Sequence, residues 1–296
     1  MTADPSPALN VNLPQPPGRR FGLALGGGGA RGLAHIPMLE ACDELGMRPD
    51  IIAGTSIGAL IGAGYAAGMS GRDLREYVLE LFGRRFAALA VMRQRWTGRV
   101  WDYWNPLTPA LVNGVSLIET ALPALLPKTF EELRIPLLVV ATDYCAQNEC
   151  VLSQGALIPA IAASAAIPAL FKTVEIGGRI LLDGGFVNPT PFDLLRGRAD
   201  IVAAVDVMGG VPPLTAAPNS VDAVMASTQI ALRSIVAEKL RWAAPDVFVA
   251  PDVGRFRVLD FWKAAEIWEA AAPAKEEFKR ALTSVLEAKL QADKSD

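Results

Sequence analysis

The reading of the chain turns on Pro49-Asp50-Ile51-Ile52-Ala53-Gly54-Thr55-Ser56-Ile57-Gly58 and the small apolar run after it, Ala59 to Gly68. Pro49 to Ala53 predicts a short buried strand, and Ala59 to Gly68 predicts a helix. A serine between two glycines at such a junction can sit on a sharp, strained turn with its hydroxyl outward. A Cβ at Gly54 or Gly58 would clash with the facing backbone. Ser56 is therefore the candidate nucleophile. The competing reading is a small-residue turn whose serine caps the following helix.

Upstream, Phe21 to Leu25 predicts an apolar strand. Gly26-Gly27-Gly28-Gly29-Ala30-Arg31-Gly32 follows, then a helical pattern from Leu33 to Leu45. Strand, glycine loop, helix and strand make a βαβ unit, which brings the carboxyl ends of both strands to one edge of a parallel sheet. Gly27, Gly29 and Gly32 match a dinucleotide-binding fingerprint, with Asp50 as the ribose-binding acid. Asp50 begins its strand, however, at the end away from the loop. The reading that fits the topology is an oxyanion hole, whose backbone N–H groups converge beside Ser56 where charge develops on an ester carbonyl.

Such a serine needs a base, usually histidine. The chain has one histidine, His35, on the helix after the glycine loop, and a histidine packed against a helix face is its more ordinary role. The base is otherwise a carboxylate at a strand end. Asp183 ends a strand (Arg179 to Leu182) and is followed by two glycines; Asp143, Asp206 and Asp193 are the alternatives, and spacing does not choose among the four.

Composition sets the class. The chain has 296 residues, 51% hydrophobic and 20% charged, which suits a sizeable α/β core. A net charge of −3 gives no electrostatic case for nucleic-acid binding. Three cysteines make an odd count without zinc-site spacing, read as reduced cytosolic thiols. The first eighteen residues are rich in proline, lack a signal-peptide plan, and are expected to be a disordered tail before a single domain, 19–296. No charge-free apolar run reaches the roughly 20 residues of a membrane-spanning helix.

Further along, Gly71 to Phe82 reads as an amphipathic helix, and residues 84–104 interleave arginines with aromatics, as either a lid or membrane-contact segment or an ordinary covering helix. Val115 to Leu125 and Leu157 to Ala166 are expected helices. Pro136 to Thr142, Glu149 to Ser153, Ile201 to Val207 and Asp246 to Ala250 are expected strands, and Phe171 to Leu182 a hairpin. Ser220 to Leu240 reads as a long helix, and Phe261 to Gln291 as two helices broken at Pro273.

Taken together, Gly27-Gly28-Gly29-Ala30-Arg31-Gly32, Gly54-Thr55-Ser56-Ile57-Gly58 and Asp183-Gly184-Gly185 resemble, in order, the motifs of the patatin-like phospholipases. Ala163-Ser164-Ala165-Ala166-Ile167-Pro168 and Val187-Asn188-Pro189-Thr190-Pro191 are similar to that family's flanking stretches. The resemblance covers roughly 21–206, and the bacterial, neuropathy-target-esterase-like branch fits best. It implies a three-layer α/β/α fold with a mostly parallel central sheet. It also implies a Ser–Asp dyad of Ser56 and Asp183, an oxyanion hole from the N–H groups of Gly27, Gly28 and Gly29, and a substrate-binding role for Arg31 toward an anionic head group. The expected activity is hydrolysis of lipid acyl esters through an acyl-enzyme, with no cofactor or metal. A cytoplasmic protein with peripheral membrane contact is expected.

Overall fold

In the computed structural model the described residues are 19–81, 114, 115, 118, 126–168, 170–210 and 220–292. The proline-rich segment 1–18, the basic-aromatic segment 84–104 and most of the helix expected over 115–125 lie outside them.

Among the described residues, eight strands form one sheet: β1 (Phe21–Leu25), β2 (Ile51–Thr55), β3 (Leu137–Asp143), β4 (Asn148–Leu152), β5 (Val174–Ile176), β6 (Arg179–Asp183), β7 (Ile201–Val205) and β8 (Val247–Val249). Their order is β5-β6-β3-β2-β1-β7-β8, with β4 also paired to β3. The pairs β1–β2, β1–β7, β2–β3 and β7–β8 are parallel. The wing made by β3, β4, β5 and β6 is antiparallel. Parallel strands covered on both faces read as continuous apolar runs, as β1, β2 and β7 do; every residue of these three is buried.

Alternation along the strands sorts those residues into two cores. Leu23, Leu25, Ile52, Leu137 and Val139 face one side, against α1 (His35–Glu44), α2 (Ile57–Ala67) and the C-terminal helix. Ala24, Ile51, Ala53, Leu138 and Ala204 face the other, under Phe192 and Leu195 of a 3-10 turn and Leu240 of the helix Ser220–Ala243. The result is a three-layer α/β/α fold with a mixed, mostly parallel central sheet. After α3 (71–81), and apart from the helical residues 114, 115 and 118, the described helices that follow are α4 (Leu157–Ser164), α5 (Ser220–Ala243) and α6 (Ala264–Ala292).

One expectation needs correction. Residues 261–291 are not two helices broken at Pro273: a 3-10 turn (Phe261–Lys263) leads into the single helix α6, with Pro273 inside it. An interior proline removes one helical hydrogen bond and costs about 3 kcal/mol. Here Ile267, Ala271, Ala274, Phe278 and Leu282 form a buried stripe on either side of it, and that packing outweighs the missing bond. A smaller difference lies after the glycine loop, where the first turn (Gly29–Ala34) is a 3-10 helix and α1 begins at His35.

The sheet register brings the site together. β2 runs along one edge of β3 until Thr55 meets Val140. β4 occupies the opposite edge from Val139 to Asp143. β6, which pairs with β3 from Ala141 onward, must therefore lie on the β2 edge, where Asp183 faces Ala141. β2 and β6 approach each other end to end, and their tips carry Ser56 and Asp183.

Candidate active site

Ser56 follows β2 directly and has φ 54° and ψ −122°, a conformation uncommon for a side-chain-bearing residue. The glycines on either side are needed for close approach. A Cβ on Gly58 would lie 2.1 Å from the Leu25 carbonyl oxygen, and one on Gly54 would lie 2.6 Å from Ala59 Cα. The Ser56 hydroxyl makes no capping bond to α2. It donates to Asp183 Oδ2 at 2.7 Å, so the helix-cap reading does not describe this serine.

Asp183 is buried and tightly held. Its Oδ1 accepts from Gly185 N–H at 2.8 Å, its carbonyl accepts from the Thr142 hydroxyl at 2.7 Å, and its N–H donates to Ala166 O at 3.1 Å. Burial raises its pKa from 3.8 to about 6, opposed by the hydrogen bonds from Gly185 and Ser56. The other three aspartates are engaged elsewhere. Asp143 accepts from Cys145 N–H and Ala146 N–H, Asp206 from Met208 N–H, and Asp193 from Asn188 and Lys239.

His35 is fully buried, with Nε2 2.7 Å from Gly26 O. Burial lowers its pKa to about 4, so near neutral pH it is uncharged and donates from Nε2–H. Its Nδ1 has no partner among the described residues. It supports the glycine loop from beneath and has no hydrogen bond to Ser56.

The glycine loop lies against Ser56, with a Cβ on Gly27 falling 3.4 Å from Ser56 Cβ. Its N–H groups are not equivalent. Gly26 N–H donates to Val205 O, Gly27 N–H to Pro189 O at 2.9 Å, and Ala30 N–H to Val258 O. Among the described residues the N–H groups of Gly28 and Gly29 meet no acceptor. Of the three donors expected, Gly27 is therefore engaged within the fold, and Gly28 and Gly29 are available. Arg31, expected at the substrate, is 3% exposed, and its guanidinium donates to Gly28 O at 3.2 Å and Met208 O at 2.8 Å. Burial and then neighbouring Arg233 lower its pKa, while Asp206 opposes.

Several site residues carried no assigned role in the sequence reading. Ser164 accepts from Ser56 N–H at 2.8 Å. Asn188 O accepts from the Thr55 hydroxyl at 2.7 Å, and Pro189 O holds Gly27. Lys239 on α5 donates to Asn188 Oδ1, Thr190 O and Asp193 Oδ1. Asp50, the ribose candidate, accepts from Phe21 N–H at the opposite end of the sheet. Among the described residues no group of three or more His, Cys, Asp or Glu could hold a metal ion. No described helix is long and apolar enough to cross a membrane.

The chain that places this serine hydroxyl against a buried aspartate, beside a glycine loop on a three-layer sheet, has named relatives. The family model described as patatin-like phospholipase matches residues 23–196, more than half of the chain, and the chain belongs to that family. Within the family it falls in the branch of the NTE proteins. It is 36% identical over 219 residues to an NTE family protein of Mycobacterium tuberculosis, covering 73% of this chain and 57% of that one. It is 27% identical over 299 residues to lysophospholipase NTE1 of Candida glabrata, covering 90% of this chain and 16% of the relative. It is 32% identical over 193 residues to human patatin-like phospholipase domain-containing protein 6, covering 64% and 13%. The chain thus spans little more than half the length of the mycobacterial relative and a small part of the other two. Among solved structures it is similar to VipD of Legionella pneumophila, with a TM-score of 0.49 and 13% identity over 90% of this chain and 67% of that one.

Proposed function

We propose that the chain is a serine hydrolase of lipid acyl esters, of the phospholipase A or lysophospholipase kind, working through a Ser56–Asp183 dyad. The observation that carries this reading is the 2.7 Å bond from the Ser56 hydroxyl to Asp183 Oδ2, made by a serine whose backbone is strained outward.

In this mechanism ionised Asp183 takes the Ser56 proton as Oγ attacks the ester carbonyl carbon. The negative charge on the carbonyl oxygen is met by Gly28 N–H and Gly29 N–H; one such donor is typically worth about 3–4 kcal/mol of barrier. The intermediate collapses, the C–O bond to the leaving alcohol breaks, and Asp183 returns its proton to that alcohol. Water then attacks the acyl-enzyme with Asp183 again as base, releasing the fatty acid and restoring Ser56. His35 is a structural support in this scheme. Arg31 acts through the loop: a cation on Gly28 O draws electrons along the Gly28–Gly29 peptide and strengthens Gly29 N–H as a donor.

A small apolar cavity of about 90 Å³, lined by residues including Leu33, Ile57, Leu60, Ile61, Val78 and Phe261, adjoins the residue after Ser56. Because such substrates reside in lipid surfaces, peripheral membrane contact belongs to the same reading. The test is turnover of a p-nitrophenyl acyl ester and of phospholipid and lysophospholipid vesicles. Ser56→Ala and Asp183→Asn are each expected to lose at least 10³-fold in kcat, by the order of loss found for members of such catalytic units. In the wild type kcat/KM is expected to fall below about pH 6, as Asp183 protonates. Wild-type turnover in either variant would refute the dyad, whereas loss in His35→Ala alone would return the role of base to the histidine.

A further inference from the structure

The chemistry above has no use for the small-residue stretch at the end of α4, yet that stretch touches both halves of the dyad. Ser164 is fully buried. Its Oγ accepts the Ser56 N–H at 2.8 Å and donates to Val140 O at 2.5 Å. Two residues on, the Ala166 carbonyl accepts the Asp183 N–H at 3.1 Å. These bonds converge on adjacent positions of β3, since Val140 is paired with Thr55 and Ala141 with Asp183.

We propose that the turn Ser164–Ala166 is the positioning element of the dyad, with the Ser164 hydroxyl fixing the strained backbone of Ser56 and the Ala166 carbonyl fixing Asp183, so that one rigid turn sets the Oγ–Oδ2 separation. Ser164 is a positioning residue, because it touches the nucleophile's backbone and no reacting atom.

The side-chain type follows from the two bonds. One small group must accept from Ser56 N–H and donate to Val140 O at the same time; a hydroxyl does both, and alanine or valine does neither. Among the described residues nothing else holds that N–H. A backbone at φ 54° persists only where its surroundings over-determine it, and here the Ser164 bond supplies that constraint from one side and the Gly54 and Gly58 contacts from the other. Without the hydroxyl, the Ser56 N–H is left buried and unpaired, and the elbow relaxes toward an ordinary helical start. That turns Oγ away from Asp183.

The inference rests on the dyad reading and is tested separately from it. Ser164→Ala is expected to lower kcat about 30- to 100-fold, the scale of a misplacement near 1 Å, with KM changed less than about threefold. A second readout separates positioning from mere structural support. The Ser56 hydroxyl is one of the two hydrogen bonds that lower the Asp183 pKa against burial, so loosening it moves the acid limb of kcat/KM above its wild-type position. Among the described residues no charged side chain contributes to the Asp183 shift. Asp143 on the adjoining strand is turned to Cys145 N–H and Ala146 N–H and lies 3.9 Å from Arg179.

The experiment compares wild type, Ser164→Ala, Ser164→Cys and Tyr65→Phe for kcat, KM, the acid limb on a soluble ester, and Tm. Tyr65→Phe deletes another buried hydroxyl bond, to Asp43 at 2.7 Å, away from the dyad. It is expected to lower Tm while leaving kcat and the acid limb in place. Ser164→Cys, with a weaker donor and acceptor, is expected between wild type and Ser164→Ala, and carries the test if the alanine variant does not fold. Wild-type kcat and an unmoved acid limb in either Ser164 variant, whatever its Tm, would overturn the proposal. Activity surviving in Ser56→Ala would overturn the dyad instead.

Discussion

Asp183 holds its charge in a buried position, and the fold bears the cost. Its folded pKa, about 6, lies above the ordinary 3.8, so the folded state binds this proton more tightly than the unfolded chain. The sign is therefore destabilising. The penalty is absent below about pH 4, grows as pH rises toward 6, and is complete above it, on the order of 3 kcal/mol. Asp183→Asn is accordingly expected to be inactive yet more stable than wild type at pH 7, by up to about 2–3 kcal/mol. Urea unfolding at pH 7 and again near pH 4, where the two proteins should converge, checks this. The residue scale is also where sequence reading reached its limit. Four aspartates sat at strand ends or in loops, and no spacing distinguished them. What separates Asp183 is that β3 presents Ala141 to it directly after presenting Val140 to Thr55, and register of that kind is a tertiary fact. Ser164 was invisible for the same reason, since a serine in a small-residue helix carries no signal of what its hydroxyl faces.

At the scale of elements most of the fold was legible. β1, β2, β3 and β7 are apolar runs bounded by glycine, proline or aspartate, and a sheet buried on both faces leaves them no other composition. The element that misled was α6. Pro273 is a sound local stop signal, but it sits on a helix whose buried stripe continues from Ile267 to Leu282 and whose Lys275 and Lys279 pair with Glu40 and Glu44 of α1. Local propensity lost to packing. If packing alone keeps the helix continuous, Pro273→Ala should restore the absent backbone bond and stabilise the protein by about 1–3 kcal/mol. That corresponds to a Tm rise of several degrees by calorimetry. A fall in Tm would mean that the proline contributes a bend which the packing requires.

Across the whole molecule, the glycine loop, the nucleophile elbow and the Asp183 turn all meet one short segment, residues 188–190. Asn188 O holds Thr55, Pro189 O holds Gly27, and Asn188 N–H donates to Gly184 O. Lys239, near the C-terminal end of α5, fastens that segment to Asp193, with its ammonium 4.6 Å from the centre of the Phe192 ring. This cation braces the segment that supports the site, and it lies beyond 23–196, the part matched by the family model. Lys239→Met keeps the stem and removes the charge. It should cost about 2 kcal/mol by leaving Asn188 and Asp193 short of a donor, and should lower turnover as the segment loosens. Pairing it with Asp193→Asn in a double-mutant cycle should recover part of the stability, and strict additivity would show that the two do not act as a unit.

The end-to-end approach of β2 and β6 along β3 has a consequence for the order in which the molecule comes into being. Ser56 and Asp183 are 127 residues apart in sequence, and neither βαβ pairing alone nor the antiparallel wing alone brings them within reach. Closing so long a loop is among the slow events of folding. During refolding, helical signal and burial should therefore return before esterase activity does. On the same reading, a growing chain is expected to lack esterase activity until β6 has joined β3. On the proposed dyad, the Ser56 hydroxyl is expected to gain its reactivity only once that scaffold is complete and Asp183 stands beside it.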